Sequence, residues 1–235
     1  MKKILCLIAM LGFASSSAHA ATFNFGEYAD GYNTNGATFS NSLMNSGLGE
    51  FGYTSYSATH DGITVTATGS YVDNLGNIQN AHAYMDGKWN NLAGLGVCKV
   101  LNSGDQCAPS SDDNITYNET LTLVFDTTVS LDALRFVNGH HYTDFAGNFQ
   151  IRIDNDDSLL HTLSLAQFPL IGSTIPFVGN TFEFISLASE SSGANKEFYI
   201  NTLNVSAVPL PAAAWLFGSA LLGFAGFKRF KKTNI

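Results

Sequence analysis

Short stretches in which apolar and polar residues alternate recur through the middle of the chain, separated by clusters of Gly, Asn and Asp. A period of two places successive side chains on opposite faces of a strand, so each stretch predicts a half-buried strand. Residues 62–69 put Ile63, Val65 and Ala67 on one face and Thr64, Thr66 and Thr68 on the other. Residues 120–125 and 129–137 alternate on either side of the polar break Asp126-Thr127-Thr128, which predicts a strand, a turn or kink, and a second strand. In residues 147–154, Phe149, Ile151 and Ile153 face inward against Asn148, Gln150 and Arg152. The run Asp154-Asn155-Asp156-Asp157 consists of turn formers and residues 159–165 return, predicting a hairpin. Residues 181–187 and 197–208 complete the series.

No stretch between residues 21 and 208 carries the 3.6-residue period of a long amphipathic helix, and no fixed-period repeat stands out. The pattern predicts an all-β fold: a single jelly-roll-like β-sandwich over residues 21–207, with roughly eight or more strands. Residues 32–48, rich in Asn, Ser and Gly, read as a long loop.

The two ends depart from this pattern. Residues 1–20 begin with Lys2 and Lys3, continue with an apolar run over residues 4–13, and end in Ala18-His19-Ala20. These are the three parts of a secretory signal peptide, with a signal helix and cleavage between Ala20 and Ala21. Cys6 lies inside the leader and takes no part in the fold. At the other end, residues 212–227 are sixteen uncharged residues followed at once by Lys228, Arg229, Lys231 and Lys232. An apolar run of this kind approaches the roughly 20 residues of one bilayer crossing. The basic cluster marks the cytoplasmic side, so a transmembrane helix over about residues 210–227 with a stop-transfer cluster at 228–232 is expected. Pro209 and Pro211 keep the preceding strand from running into that helix.

Charge is segregated in the same way. Of 11 basic and 19 acidic residues, six basic ones lie in the terminal segments. Residues 21–208 therefore hold five basic against nineteen acidic residues, a net charge of −14. Such a body repels phosphate backbones and offers no basic stripe, which excludes nucleic acid as a partner.

The stretch Val208-Pro209-Leu210-Pro211-Ala212-Ala213-Ala214-Trp215-Leu216-Phe217-Gly218-Ser219, with Ala220-Leu221-Leu222-Gly223 and Lys228-Arg229 behind it, resembles the sorting tail of the PEP-CTERM proteins of Gram-negative bacteria. Leu210 stands where the family name implies Glu; many members carry the Val-Pro-Leu-Pro-Ala-Ala variant. The resemblance implies that the motif Val208, Pro209, Leu210 and Pro211 is recognised by an exosortase, a membrane cysteine protease-transpeptidase. That enzyme would cut the tail and pass the chain from the inner membrane to the outer envelope, cell surface or extracellular matrix. A looser similarity over roughly residues 60–208 joins Gly94-Leu95-Gly96-Val97-Cys98, Cys107, Ser111-Asp112-Asp113-Asn114 and the Leu-Thr-Leu-Val-Phe-Asp run to ectodomains of the same family. It implies a β-sandwich without an assigned activity.

Candidate chemistry is sparse. Cys98 and Cys107, with eight residues between them, read in an exported chain as a disulfide closing a small loop, worth roughly 2 to 3 kcal/mol by loop entropy. A metal pair or reactive thiol would need further ligands. No cofactor is expected; Asp105, Asp112 and Asp113 lie near that loop and supply hard oxygen ligands that suit calcium, but their spacing does not match an Asp-x-Asp-x-Asp-Gly loop, and the alternative is a solvated acidic loop. His140-His141 with Asp144 is the densest set of transition-metal donors, usable together only in a loop. Trp89 offers an aromatic face for a sugar ring. Neither a Gly-x-Ser-x-Gly elbow nor a His-Glu-x-x-His helix is present.

These features together predict an exported, non-catalytic envelope surface or matrix protein, sorted by an exosortase and associated with exopolysaccharide or biofilm matrix. The alternative is a secreted glycan-active hydrolase or carbohydrate-binding module carrying the same tail. A hydrolase needs converging carboxylates or a His–acid pair in a deep pocket.

Overall fold

The structure is a computed structural model. It describes residues 19–29, 38–39, 51–87, 94–109, 112–167, 170–171, 177–189 and 193–209, with residues 38–39, 167 and 170–171 described by backbone alone. The chain divides into two compact units, one of His19–Val208 and the other of the terminal stretches Met1–Ala18 and Pro209–Ile235. The first unit holds all the elements that follow.

Thirteen strands occur among the described residues. In chain order they are β1 (Ala20–Asn24), β2 (Thr38–Phe39), β3 (Phe51–Tyr53), β4 (Tyr56–His60), β5 (Ile63–Val72), β6 (Ile78–Asp86) and β7 (Gly94–Cys98). The long β8 (Glu119–Asn138) follows, then β9 (Asn148–Ile153), β10 (Asp156–Ser164), β11 (Leu170–Ile171), β12 (Phe177–Ser186) and β13 (Phe198–Ala207). A short helix, α1 (Phe25–Ala29), follows β1.

All thirteen strands belong to one sheet, and this corrects the expected sandwich of two layers. β8 pairs with β13, β13 with β7, β7 with β6, β6 with β5, and β5 returns to β8, closing a five-strand barrel. The closing contact runs antiparallel from Val65↔Phe125 to Tyr71↔Glu119. Beyond the barrel, β12, β9 and β10 extend the sheet from β8, and β1 adds along β13. Within the five barrel strands closure leaves no open edge, while the path through the whole sheet ends at β10 and β2. The alternation in β5 is the same whether its apolar face meets a second sheet or a barrel interior, which is why the sequence pattern led to the wrong architecture.

The inward set of β5, namely Ile63, Val65 and Ala67, is buried, and Leu121, Leu123 and Phe125 of β8 share the core with it. Phe136 anchors the other half, with ring centroids 5.1 Å from Phe149 and 5.0 Å from Phe198. Each such buried side chain contributes roughly 1.5 to 3 kcal/mol of transfer free energy.

Residues 126–128 hold neither a turn nor the start of a separate strand, since β8 continues through them for 20 residues, but its register against β12 is irregular there, jumping from Val124↔Thr181 to Val129↔Gly179, as the kink alternative expected. The inward phase passes from Leu121, Leu123, Phe125, Val129 and Leu131 to Leu134 and Phe136. The phase slips at Asp132, where Asn204 pairs with Ala133 and Val205 with Leu131. A bulge therefore re-aims the strand, and β8 serves both halves without a turn. The expected hairpin is present: β9 and β10 are joined through Asp154 and Asn155, with φ of 52° and 58°. Left-handed conformations at both positions match the right-handed twist of the paired strands.

No helix among the described residues is long and apolar enough to cross a membrane. The helix there is α1, five residues long. Ala20, the last residue of the expected signal helix, instead lies in β1 and pairs with Ser206. Residues 1–18 of the leader, the span at residues 210–227, Leu210, Pro211, Lys228, Arg229, Lys231, Lys232 and Trp89 lie outside the described residues. So does the expected loop at residues 32–48, except that Thr38–Phe39 pair with β4.

Candidate functional site

Two places concentrate the residues of interest: an acid-rich loop laid across β7, and the junction where β1 meets β13. The loop owes its position to glycine. A Cβ on Gly96 would stand 2.2 Å from the Asp113 carbonyl oxygen, so residues 112–115 can pass over β7 only because that side chain is missing. Ile115 then bridges to Phe198 of β13, with its amide 2.8 Å from the Phe198 carbonyl.

The side chains of this loop are taken up by Tyr199 of β13, by Glu197 just ahead of β13 and by Lys99 just after β7. The Tyr199 hydroxyl of β13 donates to Asp113 Oδ1 at 2.6 Å. Burial holds the Tyr199 phenol well above its ordinary pKa, and Asp86 and Asp113 nearby push it the same way. Asp86, buried at the end of β6, lies 3.4 Å from Nδ1 of His141. The His141 ring stacks on Tyr199, with centroids 5.7 Å apart and planes 9° apart. Asn114 Nδ2 donates to Glu197 Oε2 at 3.3 Å, and Thr116 Oγ1 donates to Glu197 Oε1 at 3.1 Å.

Lys99 links the loop to β8. Its ammonium lies 3.1 Å from Asp112 Oδ1, 2.7 Å from Glu119 Oε1 and 5.9 Å over the Tyr71 ring. Glu119 is fully buried and also accepts the Thr116 amide at 2.8 Å. Burial pushes the Glu119 carboxyl up to about 8, and the pull of Lys99 only partly offsets it. Burial works against the charge on Lys99 as well, yet Glu119 and Asp112 outweigh it and its pKa is raised. In this pair desolvation sets the direction for the acid, and the two acids set it for the base.

The expected calcium ligands do not converge. Asp112 is paired with Lys99 and Asp113 with Tyr199. Asp105 is exposed in the cystine loop at φ 57°, with its carbonyl accepting the Gly52 amide. Among the described residues no group of three His, Cys, Asp or Glu side chains is placed to hold a metal ion. The His140, His141 and Asp144 set is likewise divided: His141 turns to Asp86, while Asp144 accepts from Asn138 Nδ2 at 3.0 Å. Cys98 and Cys107 are joined, with sulfurs 2.01 Å apart, and their loop is seated where Leu101 covers Gly52.

Sequence reasoning named Asp112 and Asp113 but missed Asp86, Lys99, Glu119, Glu197 and Tyr199. One signal was available for Glu119, which shares the inward phase of Leu121, Leu123 and Phe125. Chemically, these groups form hydrogen bonds and ion pairs that fix a loop, while Asn114 Oδ1 is buried without a hydrogen-bond partner.

At the second place, the ends of the strand domain lie together. β1 pairs with β13 from Ala20↔Ser206 to Asn24↔Thr202, and the Ala207 amide donates to the His19 carbonyl at 2.7 Å. Val208 donates to the Thr128 carbonyl at 2.9 Å. Val208 and Pro209 are exposed, as is Ala20, whereas Ala21 is buried. Neither protein-family models, curated proteins nor solved structures contain a match to this chain.

Proposed function

We propose that the protein is an exported, non-catalytic surface or matrix protein of a Gram-negative envelope. It is held at the inner membrane by its apolar tail until an exosortase cuts near Val208-Pro209-Leu210-Pro211, and it then associates with exopolysaccharide. The observation that carries this reading is the register of the two ends. Among the described residues the strands start at Ala20, one residue before the expected signal cleavage, and stop at Ala207, one residue before the sorting motif at Val208. Cutting at both places removes none of the described core residues. The body's net charge of −14 and the internal pairing of its buried acids suit a solvated outer surface.

The one observation that favours a secreted hydrolase is the His141–Asp86 pair. Against that reading, the His141 ring is stacked on Tyr199, whose hydroxyl is committed to a hydrogen bond with Asp113.

Mass spectrometry of the mature protein from an exosortase-bearing host tests the proposal. The expected N-terminus is Ala21 and the expected C-terminus lies near Pro209. Replacing Pro209 and Pro211 by Ala leaves the tail attached and the protein in the membrane fraction. Unchanged processing of that double variant rules out the motif as the recognition element.

A further inference from the structure

Before any cleavage, the last two residues of the leader lie on the strand that carries the sorting junction. Ala20 pairs with Ser206, and the His19 carbonyl accepts the Ala207 amide at 2.7 Å. On its other side, the end of β13 is held by β8 through Ser206↔Ser130 and Ala207↔Val129. Val208 follows with its amide on Thr128, and the Ser206 hydroxyl donates to Asp132. The segment just ahead of Pro209 is thus an inner strand while the leader is attached, with a neighbour on each side.

Cleavage between Ala20 and Ala21 changes this. The pair Ala21↔Val205 survives as the last one, and Ser206 and Ala207 lose their cover on the β1 side. The freed Ala207 N–H and the adjoining backbone then form a short open edge leading directly into Val208-Pro209. Enzymes that take extended peptides commonly bind them by adding a strand to such an edge, with backbone hydrogen bonds supplying the affinity. The leader occupies the same edge while it remains.

We propose that leader removal permits tail removal: signal cleavage uncovers the β13 edge at Ser206 and Ala207, and the exosortase takes the tail through that edge. The two processing events then have a fixed order set by strand pairing. This rests on the sorting reading given above and adds to it a regulatory step located in the folded domain.

The test uses the full chain in an exosortase-bearing host, with both termini read by mass spectrometry during a pulse-chase. Ala18→Gln with Ala20→Gln removes both small residues that signal peptidase needs. Ala20 is exposed, so the larger side chain at that position leaves the strand undisturbed. The leader is retained in this variant, and tail cutting is expected to slow at least several-fold. A second chain carries the same two substitutions and a flexible Gly-Ser insertion of about six residues between Ala20 and Ala21, which takes the retained leader off β13. Tail cutting is expected to return to near the native rate. Native-rate cutting in the first variant overturns the proposal. Equally slow cutting in both variants overturns it too, since tethering by the leader would then be the cause. If the native chain itself keeps its tail in this host, the sorting reading falls, which is a separate result from either.

Discussion

Two places in this molecule use one cation to bridge two acids, and they differ mainly in depth. At the loop across β7, Lys99 stands between Asp112 and Glu119, and Glu119 is fully buried. At the hairpin of β9 and β10, Arg152 donates to Glu183 and, at 3.0 Å, to Asp157, which is 84% exposed. Water reaches the outer member of the second set, so the Arg152–Asp157 pair is screened. The first set is shielded, so burial drives the Glu119 pKa upward even with an ammonium 2.7 Å away. Acid-rich sequence is therefore a poor guide to acid chemistry. What decides is whether the strand phase turns the carboxyl inward.

The largest effect is expected at Lys99, and it depends on pH. Glu119 has an ordinary value of 4.5 and a folded value of about 8, so between these the folded chain keeps a proton that the unfolded chain releases. Stability is fully present below the lower value and falls as pH rises toward the upper one, by at most about 1.4 kcal/mol per pH unit for one proton. At pH 9 Glu119 is ionised and depends on Lys99. Lys99→Ala should then cost about 3 kcal/mol, the low end for breaking a buried pair, because Lys99 is itself 28% exposed. At pH 5 Glu119 is protonated in both chains, and the cost should be smaller by about 1.4 kcal/mol, the most that one proton can yield over the single pH unit between the folded value and pH 9. Urea unfolding at the two pH values checks this. An equal loss at both would mean that Glu119 is charged throughout.

A smaller loss is expected from Tyr199→Phe. This removes the hydroxyl that Asp113 accepts at 2.6 Å and leaves Asp86 and Asp113 without the proton between them. An unmet hydrogen bond to a half-buried carboxylate costs about 1 to 2 kcal/mol. Thermal unfolding of the variant beside the native chain checks this, and an unchanged midpoint would mean that the hydroxyl contributes nothing to the loop.

How far the sequence revealed this arrangement depended on the range of the interactions. Period-two alternation located β5, β9, β12 and β13, because burial on one face is a local property of a strand. The turn at Asp154 and Asn155 was legible for the same reason. Barrel closure was not, since it depends on β5 meeting β8 about 60 residues later along the chain, as in Val65↔Phe125. The polar run Asp126-Thr127-Thr128, where the register against β12 jumps, made one strand look like two, and the later phase slip at Asp132 went unread. Asp113 was noticed as an acid but assigned to a cation, because its partner Tyr199 lies 86 residues away. Gly96 gave no local hint that another backbone passes 2.2 Å from where its Cβ would be.

The smallest effect belongs to the hairpin, and it is the control for the whole comparison. Asp157→Asn removes the outer partner of Arg152 while leaving the Glu183 contact in place. An exposed ion pair is worth about 0 to 1 kcal/mol and is weakened by salt, so the unfolding midpoint should move by less than about 0.5 kcal/mol. The shift should vanish in 1 M salt, where charges are screened within roughly 3 Å. The Lys99→Ala loss at pH 9 should survive the same salt, because ions cannot enter around Glu119. If salt erased both losses alike, the loop across β7 would be as open to solvent as the hairpin, and depth would not be what separates them.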